Sequence, residues 1–212
     1  MKPLLGVYGA SGCGRGIMPI VRAQHAAGRL VFIDDAPAAP EVNGCPIMSW
    51  AAFCAEPAEK MVSLAIANSR VRERLAEQCA AASVPLFEVR AANAVVMDDV
   101  AIGEGAVLSP FVTLTSNIRI GRCFHANLYS YVEHDCVVGD FVTFAPGAKC
   151  NGNVVIEDHA YIGAGAILRQ GQPGRPLTIG RGAVVGMGAV VTKDVPAGTT
   201  IVGNPARPLQ GK

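Results

Sequence analysis

The run YSYVEHDCVVGDF, residues 129–141, sets a histidine directly before an aspartate, His134 and Asp135. Histidine titrates near neutrality, so it can take a proton from an attacking amine or hydroxyl. A neighbouring carboxylate can fix the ring's tautomer and stabilise the imidazolium as it forms. The pair therefore suits general-base chemistry. The competing reading is two solvated turn residues with no role in a reaction. Which reading holds depends on what the surrounding chain does with them.

That surrounding chain is periodic. Every sixth residue from Ile102 to Leu168 is apolar, twelve in succession. The register breaks there and resumes at Ile179, Val185 and Val191. The gap from Leu168 to Ile179 is eleven residues, five more than one repeat, and the surplus falls in GQPGRP, residues 171–176. Glycine often follows the apolar position, as at Gly103, Gly121, Gly139, Gly163, Gly180 and Gly186. A period of six is neither that of a helix nor simple strand alternation. It predicts a parallel β-solenoid of short stacked strands, with the aliphatic residue inward and small residues at tight corners. Val132 fills an inward slot, so His134 lies near a corner, where a side chain can reach outward. Cys136 and Cys150 fall in core-facing phases, a poor place for a covalent nucleophile. His125 and His159 fall in other phases, and His25 lies in a predicted helix. Tyr129 and Tyr131 are read as packing residues of the solenoid face.

The chain has 212 residues, room for one large domain or two small ones. Eighteen Lys and Arg balance seventeen Asp and Glu. A protein that grips nucleic acid or an anionic membrane normally shows a basic excess or a basic face. No apolar run approaches a membrane span, and the first residues lack a signal-peptide layout. A cytoplasmic protein is expected. Seven cysteines, an odd number with no CxxC pair, argue against a disulfide frame or a zinc site.

The first ninety residues read differently. LLGVYGA (4–10) predicts a buried strand, SGCGRG a turn opening a helix, and LVFIDD a second strand ending in Asp34 and Asp35. MVSLAIA (61–67) predicts a third strand. Residues 68–84 predict a helix capped by Asn68 or Ser69, with Arg70, Arg72 and Arg74 on a solvated face. LFEVR (86–90) predicts a fourth strand. Alternating strands and helices indicate a small Rossmann-like parallel α/β domain over residues 1–92, with the β-helix and a C-terminal tail over 93–212. A glycine-rich turn opening a helix can cradle phosphate on its backbone N–H groups. GASGCG is not the GxGxxG of a dinucleotide site, so a mononucleotide or sugar nucleotide fits better than NAD.

Five segments, taken in order, resemble a family. YGASGCG (8–14), FIDD (32–35), AIANSRVR (65–72), EHDCVVGDF with APGAKCNGNV (133–141 and 145–154), and IVGNPAR (201–207) are similar to segments of bacterial nucleotide-sugar N-acetyltransferases. These enzymes are of the bacillosamine-pathway and sialic-acid-operon type, within the hexapeptide-repeat acyltransferases. The resemblance implies a left-handed β-helix and a homotrimer with active sites between subunits. It implies acetyl-CoA as co-substrate, no metal, and a place in glycan biosynthesis. It makes His134 the base, Asp135 its orienting acid, and Gly152 a backbone donor to the thioester oxyanion. Ser11, Gly12, Cys13, Asp34, Asp35 and Ala67 match the nucleotide site, and Asn127 a position near the amino sugar. Thr143, Ala164 and Met187 match the CoA groove. Three departures stand out: Cys13 for a frequent histidine, Ala67 for glycine, and Thr143 for a histidine that touches CoA in some relatives.

The expected reaction moves acetyl from acetyl-CoA to the amine of a UDP- or dTDP-linked amino sugar, by direct attack with His134 as base. The alternatives are O-acetylation of a sialic-acid-type hydroxyl and a non-catalytic sugar-nucleotide binder. The zinc carbonic anhydrases that share the solenoid need converging histidines with HxxxxH spacing. That spacing is absent here.

Overall fold

The computed structural model describes residues 2–209; the last three residues of the expected tail lie outside these. The chain folds as two compact units, divided between Arg90 and Ala91. No helix among the described residues is long and apolar enough to cross a membrane.

In the first unit, β1 (Leu4–Tyr8), α1 (Gly12–Gln24) and β2 (Arg29–Ile33) form a right-sized βαβ start. β3 (Glu41–Val42), β4 (Cys45–Met48), α2 (Trp50–Ala55), β5 (Lys60–Leu64) and α3 (Ser69–Ala81) follow. The sheet runs β3-β4-β2-β1-β5. β1 is central and fully buried because its five residues offer only apolar or small surface, LLGVY. Parallel sheets covered on both faces demand such runs. Asn68 caps α3, its Oδ1 accepting from the Arg70 and Val71 N–H groups at 3.0 and 3.1 Å.

Arg72 departs from the solvated face expected of it: the side chain is completely buried. It shares the helix stripe of Leu75, Ala76 and Cys79, all buried. Its Nη1 donates to the carbonyls of Ile66, at 2.7 Å, and Ala67, at 3.2 Å. A buried guanidinium is tolerable only when its donors are so engaged.

The second unit is a parallel β-helix with three faces. The first face stacks Val95–Val96, Thr113–Leu114, Tyr131–Val132, Lys149–Cys150, Ile167–Leu168 and Val190–Val191. The inward positions from Leu108 to Val191 are all buried and form one continuous core, as the period of six requires. Thr113 pairs with Tyr131 and Tyr131 with Lys149, so a coil is 131 − 113 = 18 residues. Ile167 pairs with Val190, a coil of 190 − 167 = 23 residues, which absorbs the five inserted residues in a loop. The next coil is short: Val184 pairs with Thr200, 200 − 184 = 16 residues on.

Each corner turns through one residue in the left-handed region. The first-to-second corner uses Asp99, Asn117, Asp135 and Asn153, with φ between 52° and 57°. Asn and Asp tolerate this conformation better than other non-glycine residues because their short polar side chains bond locally. The third-to-first corner uses Phe111 and Tyr129, then Gly147, Gly165 and Gly188.

Candidate active site and family

His134 occupies the first-to-second corner, two residues past the inward Val132. Asp135 holds φ at 57°, which turns its carboxylate back toward the imidazole. His134 Nδ1 and Asp135 Oδ2 are 2.7 Å apart. Both side chains are about half exposed, at 43% and 49%. This contact raises the His134 pKa above its ordinary value, first through the hydrogen bond and then through the charges of Asp135 and Glu133. It lowers the pKa of Asp135. Asn117, one coil earlier on the same corner, donates from Nδ2 to Asp135 Oδ1 at 3.3 Å. The sequence reading missed Asn117. Its signal was the 18-residue offset from Asp135, which is legible once a coil is known to be three repeats.

Gly152 lies one coil beyond His134, which places the imidazole flat against a position without a side chain. A Cβ there would stand 2.5 Å from His134 Cε1 and 2.6 Å from Nε2. Among the described residues the Gly152 N–H has no protein acceptor, and His134 Nε2 has no protein partner. A base nitrogen and an open backbone donor therefore meet at one exposed corner. Nδ1, bonded to a carboxylate, carries the proton of the neutral ring, so Nε2 is the basic atom.

The other solenoid residues divide. Ala164 and the exposed Met187 share the third-to-first corner, where the Gly188 N–H bonds to the Ala164 carbonyl. Asn127 lies at that corner too, and its Nδ2 donates to the Phe144 carbonyl at 2.8 Å. Within one chain it is separated from His134 by the strand Tyr131–Val132. Thr143 is buried on the third face. Cys136 and Cys150 are buried free thiols, as their phases required.

In the first unit, Ser11 precedes α1 and makes no side-chain cap bond. No acidic residue occupies the first turn, so the positive end of the helix dipole is unopposed there. Gly14 packs against the Gly9 carbonyl so closely that a Cβ would stand within bonding range, which forces glycine. Ala67 is exposed beyond β5, on a loop whose carbonyls Arg72 grips. Asp35 is already engaged: Oδ2 accepts from the Tyr8 hydroxyl and Oδ1 from the Trp50 N–H, both at 2.7 Å. Tyr8 in turn stacks on Trp50. Burial and the Asp35 carboxylate push the Tyr8 pKa up. Asp34 uses Oδ1 on the Ala36 N–H, a turn bond, at 3.0 Å. No group of residues suited to a metal ion occurs among the described residues.

This arrangement has relatives. Residues 5–79 match the PglD N-terminal domain family. Over 213 aligned residues the chain is 52% identical to the GDP-perosamine N-acetyltransferase of Escherichia coli O157:H7, covering 98% of this chain and 96% of that enzyme. The chain belongs to the nucleotide-sugar N-acetyltransferases of the hexapeptide-repeat superfamily. Solved structures agree. WeeI from Acinetobacter baumannii AYE is 57% identical, with TM-score 0.96 over 98% of this chain and 100% of that one. The acetyltransferase domain of PglB from Neisseria gonorrhoeae FA1090, in complex with acetyl coenzyme A, is 32% identical, with TM-score 0.89 over 99% and 100%. The family fold is the α/β domain followed by the left-handed β-helix, and its acetyl donor is acetyl-CoA.

Proposed function

We propose that the protein acetylates the amino group of a GDP-linked amino sugar of the GDP-perosamine kind, using His134 as general base. The carrying observation is the His134–Asp135 pair at an exposed corner with Nε2 unpartnered beside the Gly152 N–H. The sequence alone favoured UDP or dTDP. The 52% identity to a GDP-perosamine enzyme favours GDP instead.

The sugar amine attacks the thioester carbonyl carbon of acetyl-CoA. His134 Nε2 takes the proton the nitrogen must lose. The Gly152 N–H donates to the oxyanion as negative charge develops. The C–S bond breaks, the thiolate leaves, and the imidazolium returns the proton to sulfur. Asp135 holds the ring and stabilises its charged form. No acyl-enzyme is formed. The α1 turn (Ser11, Gly12, Cys13), Asp34 and the Ala67 loop supply nucleotide recognition. Asp35 contributes by fixing Tyr8. Asn127, Thr143, Ala164 and Met187 serve sugar and CoA binding across the faces of a homotrimer.

The test is thiol release from acetyl-CoA with GDP-perosamine and with UDP- and dTDP-linked amino sugars, on wild type and His134→Ala. Turnover with the GDP sugar, reduced about 10²–10⁴-fold in the variant, is expected. Preference for a UDP or dTDP sugar, or for a sugar hydroxyl, would overturn the acceptor. An undiminished variant would overturn the base.

A further inference from the structure

The 171–176 insertion lies on the His134 corner. The Gly171 N–H bonds to the Gly152 carbonyl at 3.0 Å, and the Leu177 N–H to the Asn153 carbonyl at 3.1 Å. Two coils separate the loop from His134, about 10 Å at the usual spacing of paired strands. The loop walls a cleft of 330 Å³ lined by Arg169, Gly171, Arg175, Thr192, Lys193 and Asp194, among others. Three of those side chains are cations and one is an anion. The anion is already used, since Asp194 Oδ1 accepts from the Thr178 N–H at 2.9 Å. Among the described residues no ion pair neutralises Arg169, Arg175 or Lys193. A second cleft of 200 Å³ shares Lys193 and adds Arg207. The chain as a whole is almost neutral, so this concentration of unpaired cations is local.

Like charges repel, and assembling them in one concavity costs stability unless an anion fills it. Guanidinium groups match the oxygens of a phosphate two at a time. We propose that this cleft holds the phosphates of CoA, while the thioester lies at His134. The inference rests on the acetyl-CoA reading above. The flexible arm between the thiol and the phosphates of CoA can bridge two or three coils along one corner. The sugar nucleotide also carries a diphosphate, and the experiment separates the two sources.

Binding of CoA and of GDP is measured by titration calorimetry on the full chain, without acceptor sugar. Wild type is compared with Arg175→Gln and Lys193→Gln, and with Arg119→Gln, whose cation pairs with Asp99 elsewhere. Each cleft variant should weaken CoA about tenfold, the usual worth of one charge-assisted hydrogen bond. GDP affinity and the Arg119→Gln protein should match wild type. The cleft side chains are exposed, so unfolding midpoints should stay in place. Equal CoA affinity in wild type and cleft variants would overturn the cleft alone. A loss of GDP affinity in place of CoA would assign the cleft to the sugar nucleotide and overturn the proposal. No CoA binding by wild type would overturn the acetyl-CoA reading itself.

Discussion

Adding one carbon at Gly152 should disable the base without disturbing the fold. A Cβ at that position would stand 2.5 Å from His134 Cε1, 2.6 Å from Nε2 and 2.9 Å from Nδ1. Ordinary contact begins near 3.4 Å, so the ring must retreat by roughly 1 Å. The 2.7 Å bond to Asp135 cannot survive that movement in place. A displacement of about 1 Å at the reacting groups costs about 10²-fold in rate, or about 2.7 kcal/mol of barrier. Stability should change little. Gly152 is not among the glycines with positive φ, so alanine fits its backbone. The ring is half exposed and can swing into water. The alanine also keeps its N–H, so the oxyanion donor remains. Gly152→Ala should therefore lose about 10²-fold in kcat by thiol release while its thermal midpoint stays near wild type. The acidic limb of its rate profile should move down in pH, because the bond that raises the His134 pKa is lost. A variant within threefold of wild type, with the limb unmoved, would refute the geometry of the pair.

Asp135→Asn tests the same bond from the other side. The neutral ring is the base, so wild-type rate falls as pH drops through the raised His134 pKa; without the carboxylate, kcat/KM should hold to lower pH on a reduced plateau. An unmoved limb would mean that Asp135 does not set the basicity. Arg72→Met keeps the volume but strands the Ile66 and Ala67 carbonyls. It should cost about 1–3 kcal/mol, read as a lower urea midpoint, and weaken nucleotide binding through the loop. A midpoint at the wild-type value would show the guanidinium to be dispensable.

Much of this could be read in one dimension because a solenoid repeats its environment. Inward slots recur at a fixed step, so each residue's phase states whether it is buried, and Cys136, Cys150 and Val132 all followed it. The adjacency of His134 and Asp135 needed no fold to bring them together. Arg72 was misread although its own signal was present: it is three, four and seven residues before Leu75, Ala76 and Cys79 on one helical stripe. Charge was taken to outrank that pattern, and two backbone carbonyls reverse the preference.

What the sequence by itself determined is everything local or periodic: the hexapeptide coil, the position of the insertion, the glycine turn before α1, and the His-Asp dipeptide. What only the tertiary structure decided is everything made by stacking one coil on another or by closing a sheet. Asn117 reaches Asp135, Gly152 backs the imidazole, and three cations gather beside the inserted loop because the chain returns to one corner every 18 residues. Asp35 is drawn to Tyr8 and Trp50 because parallel pairing sets β1 beside β2. Such contacts depend on distances between residues far apart in the chain. Residue type and spacing state those distances only after the register of the strands is known.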